Sequence, residues 1–212
     1  PRDGSGNGIA QELTFTVAGV NDAPEVTPAA LSFAEDVAVD GVLAALTPGP
    51  GGESGTLSLS NVSFTDAGDV IDEAATVVSL VNNDSVHVTP SLKANKNGSF
   101  SVTFTISDGG TSPNATTVTA PVIVTPVNDP PTLTAPLVFA ALVGKSHTST
   151  FTVADVDGDN VTVSVSGQPT GTTLSLDNNL DSWTFNSGSS GAVDGVANLQ
   201  LFDGTVTVPV NV

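Results

Sequence analysis

The chain contains no cysteine, no methionine and no tyrosine, and it has a single tryptophan and only four lysines and arginines. Without cysteine there is neither a disulfide framework nor a thiolate metal site. The four bases face 22 acids, giving a formal charge of −18. Nucleic-acid phosphates and anionic membrane surfaces repel such a chain. No run of about 18 apolar residues is present, so nothing reads as a membrane-spanning helix. Neither an initiator methionine nor a signal peptide leads the sequence, which reads as a mature product or a piece of a longer protein.

What remains is rich in Thr, Ser, Val, Gly and Asn, with nine Phe and enough Val and Leu for a core in each half. That mixture favours β-sandwiches over helical bundles and argues against wholesale disorder. The phrase VNDAPEV, starting at Val20, returns as VNDPPTL at Val127, so the first feature to explain is a repeat at domain spacing. Phe104–Gly110 (FTISDGG), with the strand-like TTVTAPVIVTPVND after it, closes one unit. Leu199–Val212 (LQLFDGTVTVPVNV) closes another. Both read as strand, Asp-Gly turn, strand, because both turn residues tolerate positive φ. Val118, Ala120, Val122 and Val124 alternate with Thr117, Thr119, Pro121 and Ile123, as a strand with one buried face requires.

Three segments follow: residues 1–20, a terminal strand of a preceding domain or a donor strand to another subunit; residues 21–125, sandwich one; and residues 126–212, sandwich two. In the first, Ile9, Leu13, Phe15 and Val17 form an apolar face with a free edge that invites pairing. The expected fold is all-β: tandem Greek-key sandwiches of about seven strands each. Asp69–Leu80 could form a helical turn, but its β-branched Thr76-Val77-Val78 weighs against that.

The VNDAP and VNDPP linkers, DVDGD in mid-domain and SDG before a last strand resemble the cadherin-like, Ig-like tandem repeats of large bacterial surface proteins and adhesins. The resemblance implies sandwiches joined end to end with calcium at the junctions. Asp155, Asp157 and Asp159 fit that expectation physically. In extended chain, i and i+2 side chains project to one side about 6.5–7 Å apart. Carboxylates so placed repel one another unless a cation lies between them. Calcium takes six to eight oxygen ligands in flexible geometry. An EF-hand does not fit, since Asn160 stands at the loop's glycine position and Ser166 where its bidentate Glu belongs.

Ig-like topology implied by the resemblance turns the loop containing Asp155 and the turn at Asp203 toward the linker. It also lets Glu35, in LSFAEDVA, reach down from unit one. The expected junction set is Glu35, Asn128, Asp129, Asp155 and Asp157, with Asp159 and Asp203 as weaker members. At the upstream junction the expected set is Asn21, Asp22, Asp66 and Asp69. Pro126 and Gly19 stand where the animal cadherin linker has its first aspartate, and Ala141 replaces the first-strand glutamate in unit two. Fewer ions per junction are therefore expected, at affinities of about 10⁻⁴–10⁻³ M.

Simpler explanations exist for several of these residues. Asp108-Gly109 and Asp203-Gly204 need only hairpin chemistry, and the prolines after Asp129 stiffen a linker with or without a metal. His87 and His147 have no partner at ligand or triad spacing and read as strand or surface residues. Trp183 reads as a core plug, and the shortage of aromatics argues against a sugar-binding face. Glu35 and Asp36, adjacent on a strand, point to opposite faces and make a poor glycosidase pair. The sequons NVS, NDS, NGS, NAT and NVT carry little weight in a Ser/Thr/Asn-rich chain. No catalytic constellation emerges.

The expected function is an extracellular structural segment of a surface adhesin or fibre, stiffened by Ca2+. Its partners would be neighbouring repeats or subunits, with no nucleic acid and no membrane insertion. Two alternatives stand beside it: a filament subunit joined by strand addition through Ile9–Val17, and an accessory carbohydrate- or protein-binding module, against which the shortage of Trp, Tyr and Arg anchors counts.

Overall fold

The computed structural model describes residues 12–15, 19–37, 39–50, 53–135, 142–177, 181–188 and 195–212. All described regular structure is β. Eight strands precede the second VND phrase: β1 (Glu25–Pro28), β2 (Leu31–Ala34), β3 (Gly41–Thr47), β4 (Ser58–Thr65), β5 (Val77–Val81), β6 (Ser85–Thr89), β7 (Gly98–Ser107) and β8 (Ala115–Thr125). They form two four-stranded sheets, ordered β1-β3-β6-β5 and β2-β8-β7-β4. Eight shorter strands follow: β9 (Thr132–Thr134), β10 (Ser146–Thr150), β11 (Thr152–Ala154), β12 (Thr162–Gly167), β13 (Thr173–Leu176), β14 (Ser182–Asn186), β15 (Asn198–Phe202) and β16 (Thr207–Asn211). Their sheets run β10-β14-β13, β11-β9 and β12-β15-β16.

Period-two patterning explains the burial. On β7, Phe100, Val102, Phe104 and Ile106 are buried, while Ser101, Thr103, Thr105 and Ser107 face outward. On β8, Ala120, Val122 and Val124 join the same core, as their alternation predicts. A second, separate core gathers Phe151, Leu174, Leu199 and Leu201 around Trp183, which is 2% exposed and meets Phe151 edge-on at 6.5 Å between ring centres. Asp72–Ala75 forms only a turn, and β5 takes up the β-branched residues after it.

Charge is segregated by element. Among the described strands only β1 carries a carboxylate, Glu25, and none carries a lysine. The described sandwich walls are almost free of charge and hydroxyl-rich, so among the described residues the acids gather in turns, linkers and the ends of the sandwiches. Much of the expected terminal strand Ile9–Val17 lies outside the described residues, as does Ala141. Glu12–Phe15 lie outside any strand, and Leu13 and Phe15 are 75% and 80% exposed.

Candidate metal centre

The centre begins with a strand pairing. β2 runs parallel to β8 with Leu31 opposite Val122 and Ala34 opposite Thr125, so the residue after β2 emerges beside the linker that follows β8. That residue is Glu35, whose backbone N–H donates to Thr125 O at 2.9 Å. Its Oε1 accepts the Val127 N–H at 2.7 Å. The side chain is 1% exposed, and Oε2 has no hydrogen-bond partner. A buried acceptor left in this state is costly, and more so when charged.

The linker then turns to the second sandwich. The Asp129 N–H donates to Asp157 Oδ2 at 2.7 Å. Asp155 Oδ1 accepts the N–H groups of Asp157 at 2.9 Å and Asp159 at 3.3 Å, an Asx-type turn that folds the DVDGD loop. Carboxylate oxygens of Asp155, Asp157 and Asp159 consequently lie within 4.8 Å of one another. Asp129 Oδ2 and Asp155 Oδ2 are buried without partners, like Glu35 Oε2. Burial first, and then the negative charges of Asp36, Asp157, Glu35 and Asp155, push the Asp129 carboxyl above its ordinary range. The donor set is hard oxygen throughout, which suits Ca2+.

Two of the expected members differ in character from the rest. Asn128 Nδ2 donates to Asp203 Oδ2 at 3.1 Å and to Asp129 O at 3.2 Å. Asp203 Oδ1 accepts from the Thr205 and Val206 N–H groups, each at 2.6 Å. These bonds, led by that from Val206, hold the Asp203 carboxyl below its ordinary range. Three protein donors thus hold Asp203, which ties the turn to the linker. Asp36 was not foreseen as a site member. It stands at φ +62°, accepts the Asn95 N–H at 3.0 Å, and adds its charge to the field at Asp129.

The upstream set divides. Asn21 Nδ2 donates to Pro113 O at 2.8 Å and to Thr111 O at 2.9 Å, with Asp108 Oδ2 at 3.2 Å, so it ties its linker to the β7–β8 loop as Asn128 ties its own to the β15–β16 turn. The Asp22 N–H faces Glu53 Oε1 at 3.3 Å, so Glu53 takes the place that Asp157 holds downstream. Asp66 and Asp69 are elsewhere, contrary to expectation. β4 runs antiparallel to β7 with Thr65 opposite Ser101, and Gly98 lies opposite Val124. This register carries the turn after β4 to the end of the sandwich nearest the second unit, away from Asn21. There Asp66 Oδ2 accepts the Ile71 N–H at 2.8 Å while its Oδ1 is buried without a partner, and Asp69 pairs with Lys93. His87 lies on β6, as a strand residue, but it has partners that sequence spacing does not show: Asp40 and Ser85 both lie within hydrogen-bonding reach of its ring.

No family profile and no curated protein matches the sequence. Among solved structures, a protocadherin gammaB7 EC3-6 cis-dimer aligns over 90% of this chain and 47% of its own length, with a TM-score of 0.51 and 14% identity. A protocadherin gammaB4 extracellular domain covers 91% of the chain and 32% of itself, at TM-score 0.43 and 20% identity. An endo-fucoidan hydrolase of glycoside hydrolase family 107 covers 96% of the chain, which spans only 30% of that structure, at TM-score 0.40 and 17% identity. Together with the sheets described above, the first likeness defines the fold class as all-β sandwiches of the Ig-like and cadherin-like kind. Among the described residues no helix is long and apolar enough to cross a membrane.

Proposed function

We propose that the chain is a structural repeat segment of an extracellular, bacterial surface adhesin or fibre, whose interdomain junction is stiffened by calcium. One observation carries this reading. Glu35 from the first sandwich, Asp129 from the linker and Asp155 from the second each hold a buried carboxylate oxygen without a donor. Three unpaired anionic oxygens from three consecutive segments are unfavourable alone and become favourable around a shared cation. Glu35, Asp129 and Asp155 would ligate it, with Asp157 and Asp159 on the exposed rim. Bridging both sandwiches, the ion would remove the repulsion that otherwise lets the linker bend.

Asn21, Asp22 and Glu53 supply a corresponding surface for a neighbouring repeat upstream. Asn128 and Asp203 set the linker's entry angle without binding metal. A calcium-dependent thermal melt tests this reading. With calcium tenfold above a dissociation constant of about 1 mM, linkage adds about 1.4 kcal/mol. That corresponds to a rise of about 5–10 °C in Tm. An unchanged Tm between chelator and 10-fold excess calcium contradicts the reading.

A second reading, filament formation by strand addition through Ile9–Val17, is favoured by the exposure of Leu13 and Phe15. Growth of particle mass with concentration distinguishes it from a monomeric rod.

A further inference from the structure

The outer face of β6 presents Ser85, His87 and Thr89 at alternate positions, and a carboxylate from the approach to β3 completes a line across them. His87 Nδ1 lies 2.5 Å from Asp40 Oδ2, and His87 Nε2 lies 3.3 Å from Ser85 Oγ. Thr89 Oγ1 donates to the other Asp40 oxygen at 3.1 Å. We propose that Ser85 is an acyl-acceptor serine, activated by His87 as general base, that reacts with small esters of good leaving groups.

The hydrogen bonds assign the roles. Bonding to His87 first of all holds the Asp40 carboxyl below its ordinary range, so it is a carboxylate and accepts. The Nδ1 atom therefore carries the proton, and Nε2 presents its lone pair toward Ser85. Thr89 fixes the carboxylate, making Asp40 and Thr89 positioning residues. The ring is mostly sheltered, with 18% of its side chain exposed, which limits its rotation. In the step, Ser85 Oγ bonds to the acyl carbon as its proton passes to His87 Nε2. The bond from that carbon to the aryl oxygen then breaks, and the phenolate departs with its electron pair.

Two features restrict the chemistry. Ser85 Oγ also lies 2.8 Å from Asp84 Oδ1 and 3.4 Å from Val81 O, so other acceptors compete for its proton. β6 lies between β3 and β5, whose ladders engage its backbone donors, so no oxyanion hole is built from this strand. Without that stabilisation, only donors that expel a stable anion, such as aryl esters, react at a useful rate.

The test uses the intact chain with p-nitrophenyl acetate, following acetylation by intact mass and locating it by peptide mapping. The expected adduct is on Ser85 and is absent in Ser85→Ala. His87→Gln preserves a polar side chain of similar reach but no base, and slows Ser85 acetylation about 100-fold. Asp84→Asn, which weakens the competing acceptor, accelerates it. A thermal melt of each variant confirms that it is folded, and Asp40→Asn gives a second, independent slowing if His87→Gln is not. Acetyl groups confined to Lys93, Lys96, Lys145 and the amino terminus overturn the proposal. So does equal Ser85 labelling in folded His87→Gln.

Discussion

The side-chain amide of Asn128 reaches across 75 residues of sequence to donate to Asp203 Oδ2 at 3.1 Å. Asn21 reaches the matching loop, donating to Pro113 O at 2.8 Å and Thr111 O at 2.9 Å with Asp108 Oδ2 at 3.2 Å, so the repeated VND phrase is a repeated device that ties the linker to the last hairpin of the sandwich it enters. The asparagine binds the turn, while the aspartate after it presents its N–H to an acidic loop, Asp157 in one case and Glu53 in the other. Locking the linker and charging the junction are therefore assigned to adjacent residues.

Separating the two roles gives the first prediction. Asn128→Ala removes the donor to Asp203 and lowers the Tm of the second sandwich by several degrees, while the calcium-induced rise in Tm stays intact. Trp183 is the only tryptophan and sits in the second core, so its fluorescence follows that sandwich alone. Upstream, Gly110→Ala sets a methyl 2.1 Å from Asn21 Oδ1 and releases that lock in the first sandwich.

Glu35→Gln gives a change of sign. The glutamine carbonyl can still accept from Val127, but the buried negative charge is gone. In chelator the variant melts above the parent, by about 1 kcal/mol of added stability. In calcium it melts below the parent because a ligand is missing. Paired melts of both proteins, with and without chelator, check the crossing.

Two junction aspartates titrate in opposite directions. Asp203 lies below its ordinary value because its charged form is hydrogen-bonded, so its contribution is present at neutral pH and is lost as pH falls through its folded pKa. Asp129 is raised by burial and neighbouring charge, so the folded state binds its proton more readily than the unfolded one. In chelator its contribution is therefore favourable at low pH and is lost as pH rises through the raised value. Side-chain carboxyl NMR titration should place Asp129 above an unstructured aspartate and Asp203 below it.

Much of the architecture could be read from sequence: the buried face of β8, Trp183 as a core plug, and the short turn at Gly204, whose φ is +106°; at Gly109, φ +73°, the Asp-Gly pair instead opens a longer loop from Asp108 to Asn114. The proximity of Glu35 to Asn128-Asp129 followed from the order of strands that the family resemblance implied. The misplaced acids had a specific cause. FTDAGD looks like DVDGD and, like it, follows a strand, but β11 runs antiparallel to β9 and back toward the linker, whereas β4 runs in the direction of β8 and away from Asn21, which only the strand registers reveal. Glu53 is a lone acid in a Gly/Pro-rich stretch, with no motif in the sequence to mark it. Asp40 lies 47 residues from His87, and only the pairing of β3 with β6 brings the neighbouring segments together.

Core packing supplies a further check. Trp183→Ala empties the centre of the smaller core and should cost about 3–5 kcal/mol, enough to unfold a sandwich of this size. The first sandwich, with its own core around Phe104, should retain its melting transition in calorimetry.

Small-angle X-ray scattering of the monomeric chain, titrated from excess chelator to millimolar calcium, reads the stiffening of the junction itself. The maximum dimension should lengthen and the distance distribution sharpen as the linker stops bending, with no such change in Glu35→Gln. Superimposable scattering in chelator and calcium, from a chain that remains monomeric, would show that the junction is held by its prolines and by the Asn128–Asp203 bond alone.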